Sequence, residues 1–159
     1  MDVTTMQSTN WLLEHLRDDY PQFSFVPADE FWWSSTKQTI YFDPGAIHSQ
    51  AFSLHELSHA ILRHEGYRYD IDLLKLERDA WHYAKETLAR TYSITVDDEV
   101  IQDNLDSYRT WLHARSTCPG CQVTGLQTKS QHYRCLACDS TWRVNEARLC
   151  ALRRYTITK

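Results

Sequence analysis

The positions of the cysteines constrain the fold of this chain more than any other feature. All five cysteines lie beyond residue 117, and four of them form two C-x-x-C pairs, Cys118 with Cys121 and Cys135 with Cys138, with 13 residues between the pairs. This spacing lets four thiolates surround one ion tetrahedrally, the arrangement that zinc prefers. The segment is too short to bury a large core, so a bound ion has to contribute most of its stability. The sequence therefore predicts a closed, structural zinc ribbon with four cysteine ligands.

The surroundings of these cysteines favour a metal site over disulfides or a redox centre. The N-terminal residues have no basic start and no apolar stretch, so we expect no secretion signal and predict a cytoplasmic protein with reduced thiols. A redox C-x-x-C motif opens a helix after a strand, whereas His132–Arg134 and Thr141–Val144 indicate short strands around the second pair. The fifth cysteine, Cys150, is predicted to be a small buried side chain.

A second motif, His55-Glu56-Leu57-Ser58-His59, has the form H-E-x-x-H. On a helix, residues four apart lie on one face, so His55 and His59 can bind one cation from the same side. Glu56 can then reach a water on that cation and take its proton. The neighbouring residues are largely apolar, and buried polar groups without partners are costly, which disfavours a surface helix with three incidental polar residues. We predict a catalytic zinc site on this helix.

A zinc peptidase site needs a third protein ligand, and three residues are candidates: His64, Glu77 and Asp79. His64 is five residues after His59, so on a continuing helix it rotates off the ligand face. In the next helix Glu77 lies on an otherwise apolar stripe, whereas Asp79 lies on a polar face. A lone carboxylate in an apolar stripe is costly unless a cation neutralises it. We predict Glu77 as the third ligand, with Asp79 as the alternative.

Hydrophobic periodicity and turn residues predict an α+β fold. The predicted segments are a helix from Ser8 or Thr9 to Asp19, a strand at Gln22–Val26, a hairpin of Glu30–Ser34 and Thr39–Phe42, helices at Ser49–His64, at Asp70–Tyr92 and from Thr95, and a final helix at Asn145–Arg154. We expect the small N-terminal sheet to pack on the helical H-E-x-x-H core, with the hairpin forming one wall of a cleft. Gly66 is expected to cap the catalytic helix in the left-handed conformation.

Charge and residue pattern both change near residue 115. The predicted domains are residues 1–115, with 10 Lys and Arg against 19 Asp and Glu, and residues 116–159, with 7 against 2. The basic side chains lie near Tyr133 and Trp142, which makes nucleic acid a candidate partner of the ribbon, beside the acidic domain of the same chain. These basic residues are Lys129, Arg134, Arg143, Arg148, Arg153, Arg154 and Lys159. No apolar run is long enough to span a bilayer, so we expect no membrane partner.

The H-E-x-x-H motif and the helix after it resemble the ImmA/IrrE family of bacterial metallopeptidases. The resemblance rests on His55-Glu56-x-x-His59 followed by Glu77-x-x-Ala80-x-x-Tyr83-Ala84, and it covers about residues 20–90. It implies a zinc endopeptidase of the gluzincin type, in which His55, His59 and Glu77 bind the metal and Glu56 is the general base. Trp81 stands where that family usually has Asn or Asp.

Two other interpretations accompany this one. The order of an H-E-x-x-H domain before a four-cysteine ribbon also resembles SprT-like proteases, which act on DNA-bound proteins, but their third ligand is a histidine in a setting that the segment from His64 to Tyr67 matches poorly. The alternative from a different class is a zinc-stabilised regulatory module that binds protein or nucleic acid. Glu56 argues against that module, because a structural site needs no base. For the enzyme, the candidates that would stabilise an oxyanion are His82, Tyr67, Tyr69 and Tyr108.

Overall fold

The computed structural model describes residues 3–148 and 150–157, with side chains from Thr9 onward. These residues form two compact units. The first comprises the chain up to Glu65 together with Leu76–Ile101, and the second comprises Gly66–Lys75 together with the chain from Gln102. The predicted division into domains of residues 1–115 and 116–159 stays a prediction, because the two compact units do not by themselves show which residues share a function.

The described residues form an α+β fold, as the sequence predicts. The elements, in chain order, are α1 (Val3–Asp19), β1 (Ser24–Pro27), β2 (Trp32–Ser34), β3 (Thr39–Phe42), α2 (Ser49–Ile61), α3 (Asp70–Tyr83), a π-helical turn (Ala84–Ala89), α4 (Asp98–Ser116), β4 (Leu126–Lys129), β5 (His132–Arg134), β6 (Thr141–Val144) and β7 (Arg154–Thr156). None of the helices in this described part is long and apolar enough to cross a membrane.

The first unit packs helices on a three-stranded sheet with the order β1-β3-β2. The predicted hairpin is confirmed, because β2 pairs with β3 in antiparallel register, while β1 runs parallel to β3. Helix α2 packs against β3 and β2, and Ile40, Leu54 and Leu57 are fully buried. Burying one such side chain contributes about 1.5–3 kcal/mol. This packing holds α2 beside β2, which is an edge strand of the sheet.

Helix α2 ends earlier than predicted, and with a different cap. Its last helical residue is Ile61, and Arg63 has the left-handed conformation with φ 57°, whereas Gly66 does not have a positive φ. The amide of Arg63 bonds the carbonyl of Ala60, and the amide of His64 bonds the carbonyl of His59. These two bonds define a Schellman motif, which turns the chain back towards the last turn of the helix.

The predicted helix Asp70–Tyr92 is present but changes character along its length. It is α-helical to Tyr83 and π-helical from Ala84 to Ala89. The π-helical turn remains packed, with Ala84, Leu88 and Ala89 buried. A π-helical turn contains one residue more than an α-helical turn. Residues after the turn therefore face a different direction from the one that a continuous α-helix would give them.

The second unit is built on a four-stranded antiparallel sheet with the order β4-β5-β6-β7. Its core is a cluster of Cys118, Tyr133, Cys135, Trp142 and Val144. Trp142 is fully buried, and its indole N–H donates to the carbonyl of Arg115 over 3.0 Å. The predicted strands of the ribbon are therefore confirmed, and two of the cysteines belong to its core.

The predicted C-terminal helix at Asn145–Arg154 is wrong, because the described residues of this segment are not helical. Leu149 is not among the described residues. The side chain of Asn145 donates to the carbonyl of Ala151 and accepts from the amide of Arg153, over 2.8 and 2.7 Å. These bonds close a loop, after which β7 pairs with β6. The loop takes the place of a helix because an asparagine side chain competes for backbone groups that a helix would use.

Two further predictions fall on this part of the chain. Cys150 is exposed, so its predicted burial is wrong. Its thiol accepts a hydrogen bond from the side-chain amide of Asn145, over 3.4 Å, at the rim of the same loop. Lys159, which the sequence groups with the basic residues of the ribbon, lies outside the described residues.

Candidate metal centres

Helix α2 is buried along most of its length and presents both motif histidines on one face. Its residues from Leu54 to Ala60 are all shielded from solvent, because α2 packs against the sheet on one side and the π-helical turn on the other. His55 and His59 are 3% and 8% exposed. Polar side chains at this depth require polar partners.

Three buried donor groups converge at these histidines. The Nε2 atom of His55 lies 2.9 Å from one carboxylate oxygen of Glu77 and 3.1 Å from the Nε2 atom of His59. The Nε2 atom of His59 lies 3.5 Å from the other carboxylate oxygen of Glu77. Two ligands that each lie about 2.0–2.1 Å from a zinc ion at the tetrahedral angle are separated by about 3.3 Å. The donor set and its spacing therefore fit a zinc ion, and the group can hold a metal.

Helix α3 brings Glu77, and not Asp79, to the histidines. Glu77 is 5% exposed and lies on the same side of the helix as the buried Ala80 and Trp81. The side chain of Asp79 is 51% exposed and pairs with the neighbouring Arg78 over 2.8 Å. The apolar stripe thus identified the carboxylate that is buried, although its role as a ligand stays a prediction.

The electrostatics of the group match the needs of a divalent cation. Burial disfavours the charge on Glu77, but hydrogen bonds from His55 and His59 outweigh it and hold the pKa of Glu77 well below its usual range. Burial lowers the pKa of His55 to about 4, against the raising effect of its hydrogen bond to Glu77. Near neutral pH His55 is therefore neutral and Glu77 anionic, which are the protonation states that metal ligation requires.

The same network acts differently on the second histidine. Burial lowers the pKa of His59, but the hydrogen bond to Glu77 and the charges of Glu56 and Glu77 raise it by more. Without a metal, the buried carboxylates therefore favour a proton on His59. A divalent cation would displace this proton, as it does at other histidine sites.

Glu56 is the remaining ionisable group of the motif. It is 9% exposed, and burial raises its pKa to about 7. The charge of His59 and a hydrogen bond from the backbone N–H of Trp33 act in the opposite direction. Glu56 can therefore exchange a proton near neutral pH, and it does so beside the edge strand β2.

Three residues contact these groups in ways that the sequence did not predict. The ring of Trp81 stacks on His55 with centroids 4.2 Å apart, and the backbone of Trp33 reaches Glu56. His64 lies outside the ligand group, as predicted, yet its Nδ1 atom is 2.8 Å from the Nδ1 atom of His59. The position of Trp81 on the stripe of Glu77 was a usable signal. The position of Trp33 depends on tertiary contacts, and that of His64 depends on the turn at the end of α2.

The four cysteines of the second unit form the other candidate metal centre. The sulfur atoms of Cys118 and Cys138 lie 3.7 Å apart, and those of Cys121 and Cys135 lie 3.5 Å apart. Zinc–sulfur bonds of about 2.3 Å in a tetrahedron place sulfur atoms about 3.8 Å apart. All four thiols are free, and their sulfur atoms lie within 4.8 Å of one another. This group can also hold a metal ion, with no position left for water.

The candidates for oxyanion stabilisation have the following surroundings. In the first unit His82 is exposed. In the second unit the hydroxyl of Tyr67 donates to Glu146, and the guanidinium of Arg148 lies 3.8 Å from the ring centre of Tyr108.

The described residues define an α+β fold with two groups that could hold a metal ion, one of three ligands and one of four. Comparison of the chain with protein-family models, with curated proteins and with solved structures finds no match.

Proposed function

We propose that the chain is a zinc-dependent endopeptidase that hydrolyses peptide bonds in a protein substrate. The observation that carries the proposal is the buried convergence of His55, His59 and Glu77 beside Glu56. A purely structural site needs no additional carboxylate next to its ligands. The second zinc ion, held by the four cysteines, stabilises the ribbon. A cytoplasmic location belongs to this proposal, because thiol ligands persist in a reducing compartment.

The ligand set also bears on which protease the chain resembles. The third group in the cluster is the carboxylate of Glu77, and His64 lies outside it. This arrangement favours the ImmA/IrrE-like interpretation over the SprT-like one, whose third ligand is a histidine. The SprT-like alternative, a protease of DNA-associated proteins, therefore remains the second choice.

Glu56 is the general base of the proposed reaction. Zinc bound by the three ligands supplies a Lewis acid that lowers the pKa of water from 15.7 to about 7 and polarises a carbonyl oxygen. Glu56 accepts the proton of the attacking water and then passes it to the nitrogen of the leaving amine. A glutamate held beside the metal ligands can serve as the base in the first transfer and as the acid in the second.

The substrate is proposed to bind as an extended strand along β2. This strand is at the edge of its sheet, and an extended peptide can pair with such an edge through its backbone. The backbone N–H of Trp33, in the middle of β2, already reaches Glu56. A peptide paired with β2 would therefore pass close to the catalytic carboxylate.

The experiment compares the zinc-loaded wild type with Glu56→Gln on an unfolded protein substrate, with cleavage followed by mass spectrometry. Gln preserves the shape of the side chain and leaves the three ligands intact. We expect the cleavage rate to fall at least about 10²-fold, the lower range for loss of a general base. Equal rates for the two proteins would overturn the proposal.

Nucleic acid is a second proposed partner, bound by the exposed face of the ribbon sheet. Arg143 alternates along β6 with the buried Trp142 and Val144, and its guanidinium lies 4.3 Å from the ring centre of Tyr155 on β7. Arginine beside an aromatic ring suits a phosphate backbone and a stacked base. Arg134 is the matched control because it is already paired with Asp139.

The test is fluorescence anisotropy with a single-stranded oligonucleotide over a range of salt concentrations. We expect Arg143→Ala to weaken binding and reduce the salt dependence by the equivalent of about one phosphate contact. Arg134→Ala should have a smaller effect. An Arg143→Ala protein that binds like the wild type would exclude this face as the binding surface.

A further inference from the structure

The two motif histidines are oriented in different ways. The ring of His55 is stacked on Trp81, and its Nδ1 atom is buried with no hydrogen-bond partner among the described residues. The ring of His59 instead places its Nδ1 atom 2.8 Å from the Nδ1 atom of His64. A side-chain hydrogen bond thus orients His59, whereas packing orients His55.

The backbone at the end of α2 explains how His64 reaches this position. Arg63 has a left-handed conformation, and the amide of His64 bonds the carbonyl of His59 over 2.9 Å. In a Schellman motif the residue in the place of His64 often contacts the residue in the place of His59, usually through apolar side chains. Here that contact is made by two imidazoles. The indole N–H of Trp33 also donates to the carbonyl of His64 over 3.1 Å, which fixes the turn from the sheet side.

The direction of the hydrogen bond follows from the chemistry of His59. Its Nε2 atom faces Glu77 and His55, so this is the nitrogen whose lone pair would bind a metal. A neutral imidazole that ligates through Nε2 carries its proton on Nδ1. The Nδ1–H group of His59 therefore donates to the lone pair of Nδ1 on His64, and His64 is a neutral acceptor with its own proton on Nε2.

We propose that His64 is a positioning residue that holds His59 in the tautomer and ring orientation required for metal binding. The inference rests on the proposed function, since it assigns a metal to the site of His55, His59 and Glu77. Groups that accept the second N–H of a ligating histidine typically change metal affinity about 10–100-fold when they are lost. His64 acts through His59 and is not itself a ligand.

Two nearly isosteric substitutions of His64 distinguish a role in hydrogen bonding to His59 from a role in packing alone. In His64→Asn the amide oxygen stands at the place of Nδ1 and can accept the bond, whereas His64→Leu fills a similar volume without an acceptor. The backbone bonds of residue 64 are unchanged in both. Zinc affinity of the full chain is measured by competition with a chromophoric chelator, after the ribbon site has been saturated, and thermal unfolding serves as the check of folding.

The expected result is a 10–100-fold weaker zinc affinity for His64→Leu and an affinity within about threefold of wild type for His64→Asn. Equal affinities of the Leu and Asn variants, with two zinc ions bound to the wild type, would overturn this inference and leave the proposed function standing. A wild type that binds zinc at the ribbon alone would overturn the proposed function, and this inference with it.

A measurement on the unmutated protein tests the same point independently of any variant. Nitrogen-15 NMR of the zinc-loaded chain reports which ring nitrogen of His59 carries the proton. We expect a protonated Nδ1 atom whose hydrogen exchanges slowly with water, because it is bonded to His64. A proton on Nε2 of His59 would contradict the inference.

Discussion

Glu77 and Asp79 lie two positions apart on α3 and have opposite environments. The carboxylate of Glu77 is buried between two imidazoles, while that of Asp79 is half exposed and pairs with Arg78. A surface ion pair of this kind contributes about 0–1 kcal/mol to the stability of the fold. The negative charge that a metal ion would need is therefore supplied by Glu77.

The first prediction compares Glu77→Gln with Asp79→Asn. Each substitution replaces an anionic oxygen by a neutral amide of the same shape. We expect Glu77→Gln to lower zinc affinity by well beyond the ~10–100-fold typical of a residue that only supports a ligand. Asp79→Asn should stay within that range or leave the affinity unchanged. Both affinities are measured by competition with a chelator, and a larger loss in Asp79→Asn would assign the ligand role to Asp79.

The second prediction concerns the pH dependence of stability in protein whose H-E-x-x-H site is free of metal. The folded-state pKa of Glu56 is raised from 4.5 to about 7 by burial. Between these values the folded chain binds more protons than the unfolded chain, so the free energy of unfolding decreases as pH rises. Below about pH 4.5 the carboxyl is protonated in both states and this effect is absent.

Glu56→Gln removes the titrating group and with it the cost of a buried charge. Relative to wild type, the variant should gain nothing near pH 4.5 and about 3 kcal/mol above pH 7, since one pKa unit corresponds to about 1.4 kcal/mol. Urea unfolding at a series of pH values measures the difference. Stability curves that run parallel from pH 5 to pH 8 would show that Glu56 is not buried as a charged group.

At the scale of secondary structure, the sequence predicted best where one face of an element is buried. The stripe of Ala80 and Trp81 in α3 identified Glu77, because burial on one face imposes the helical period directly. The motif of α2 was predicted for the same reason, since its flanking residues are apolar and both histidines must share a face. The β-branched and aromatic residues of Thr39–Phe42 identified β3.

Prediction was wrong where the ends of elements depend on single hydrogen bonds. Gly66 was expected to cap α2, yet Arg63 takes the left-handed conformation. The bond of His64 to His59 depends on this turn, so helical periodicity could not reveal it. The predicted C-terminal helix does not form, because the side chain of Asn145 bonds backbone groups six and eight residues later and closes a loop. Such competition leaves no periodic signal.

The third prediction tests the packing of the ribbon sheet. A Cβ atom added at Gly125 would lie 2.4 Å from Cη2 of Trp142 and 3.0 Å from the carbonyl oxygen of Arg134. Trp142 is fully buried, so it can move only by disturbing the cluster around it. We expect Gly125→Ala to destabilise this unit by about 1–3 kcal/mol, the usual cost of overpacking.

Gly66→Ala, in the same unit, is the matched control. No atom lies within 4 Å of a Cβ added at Gly66, so the change should stay within about 0.5 kcal/mol. Urea unfolding of the zinc-loaded proteins compares the two variants with the wild type. An equal stability of Gly125→Ala and Gly66→Ala would show that Trp142 yields without cost.

At the scale of the whole molecule, the described residues include two groups that could hold a metal ion, and the two differ in the number of ligands they offer. The His55, His59 and Glu77 group offers three ligands, whereas the cysteine group offers four. A three-ligand site keeps a position for water and exchanges its metal more readily, while a four-thiolate site is closed and coupled to folding. The two metals should therefore differ in their resistance to chelators.

The central claim, that α2 and α3 form a zinc site in addition to that of the ribbon, is tested most directly by the zinc content of the purified chain. We predict about two zinc ions per wild-type chain and about one in His55→Ala, measured by atomic emission with protein quantified by amino-acid analysis. Brief treatment of the wild type with a mild chelator should reduce it to the content of the variant, with the ribbon intact by circular dichroism. One zinc ion in both proteins, or two in both, would contradict the account.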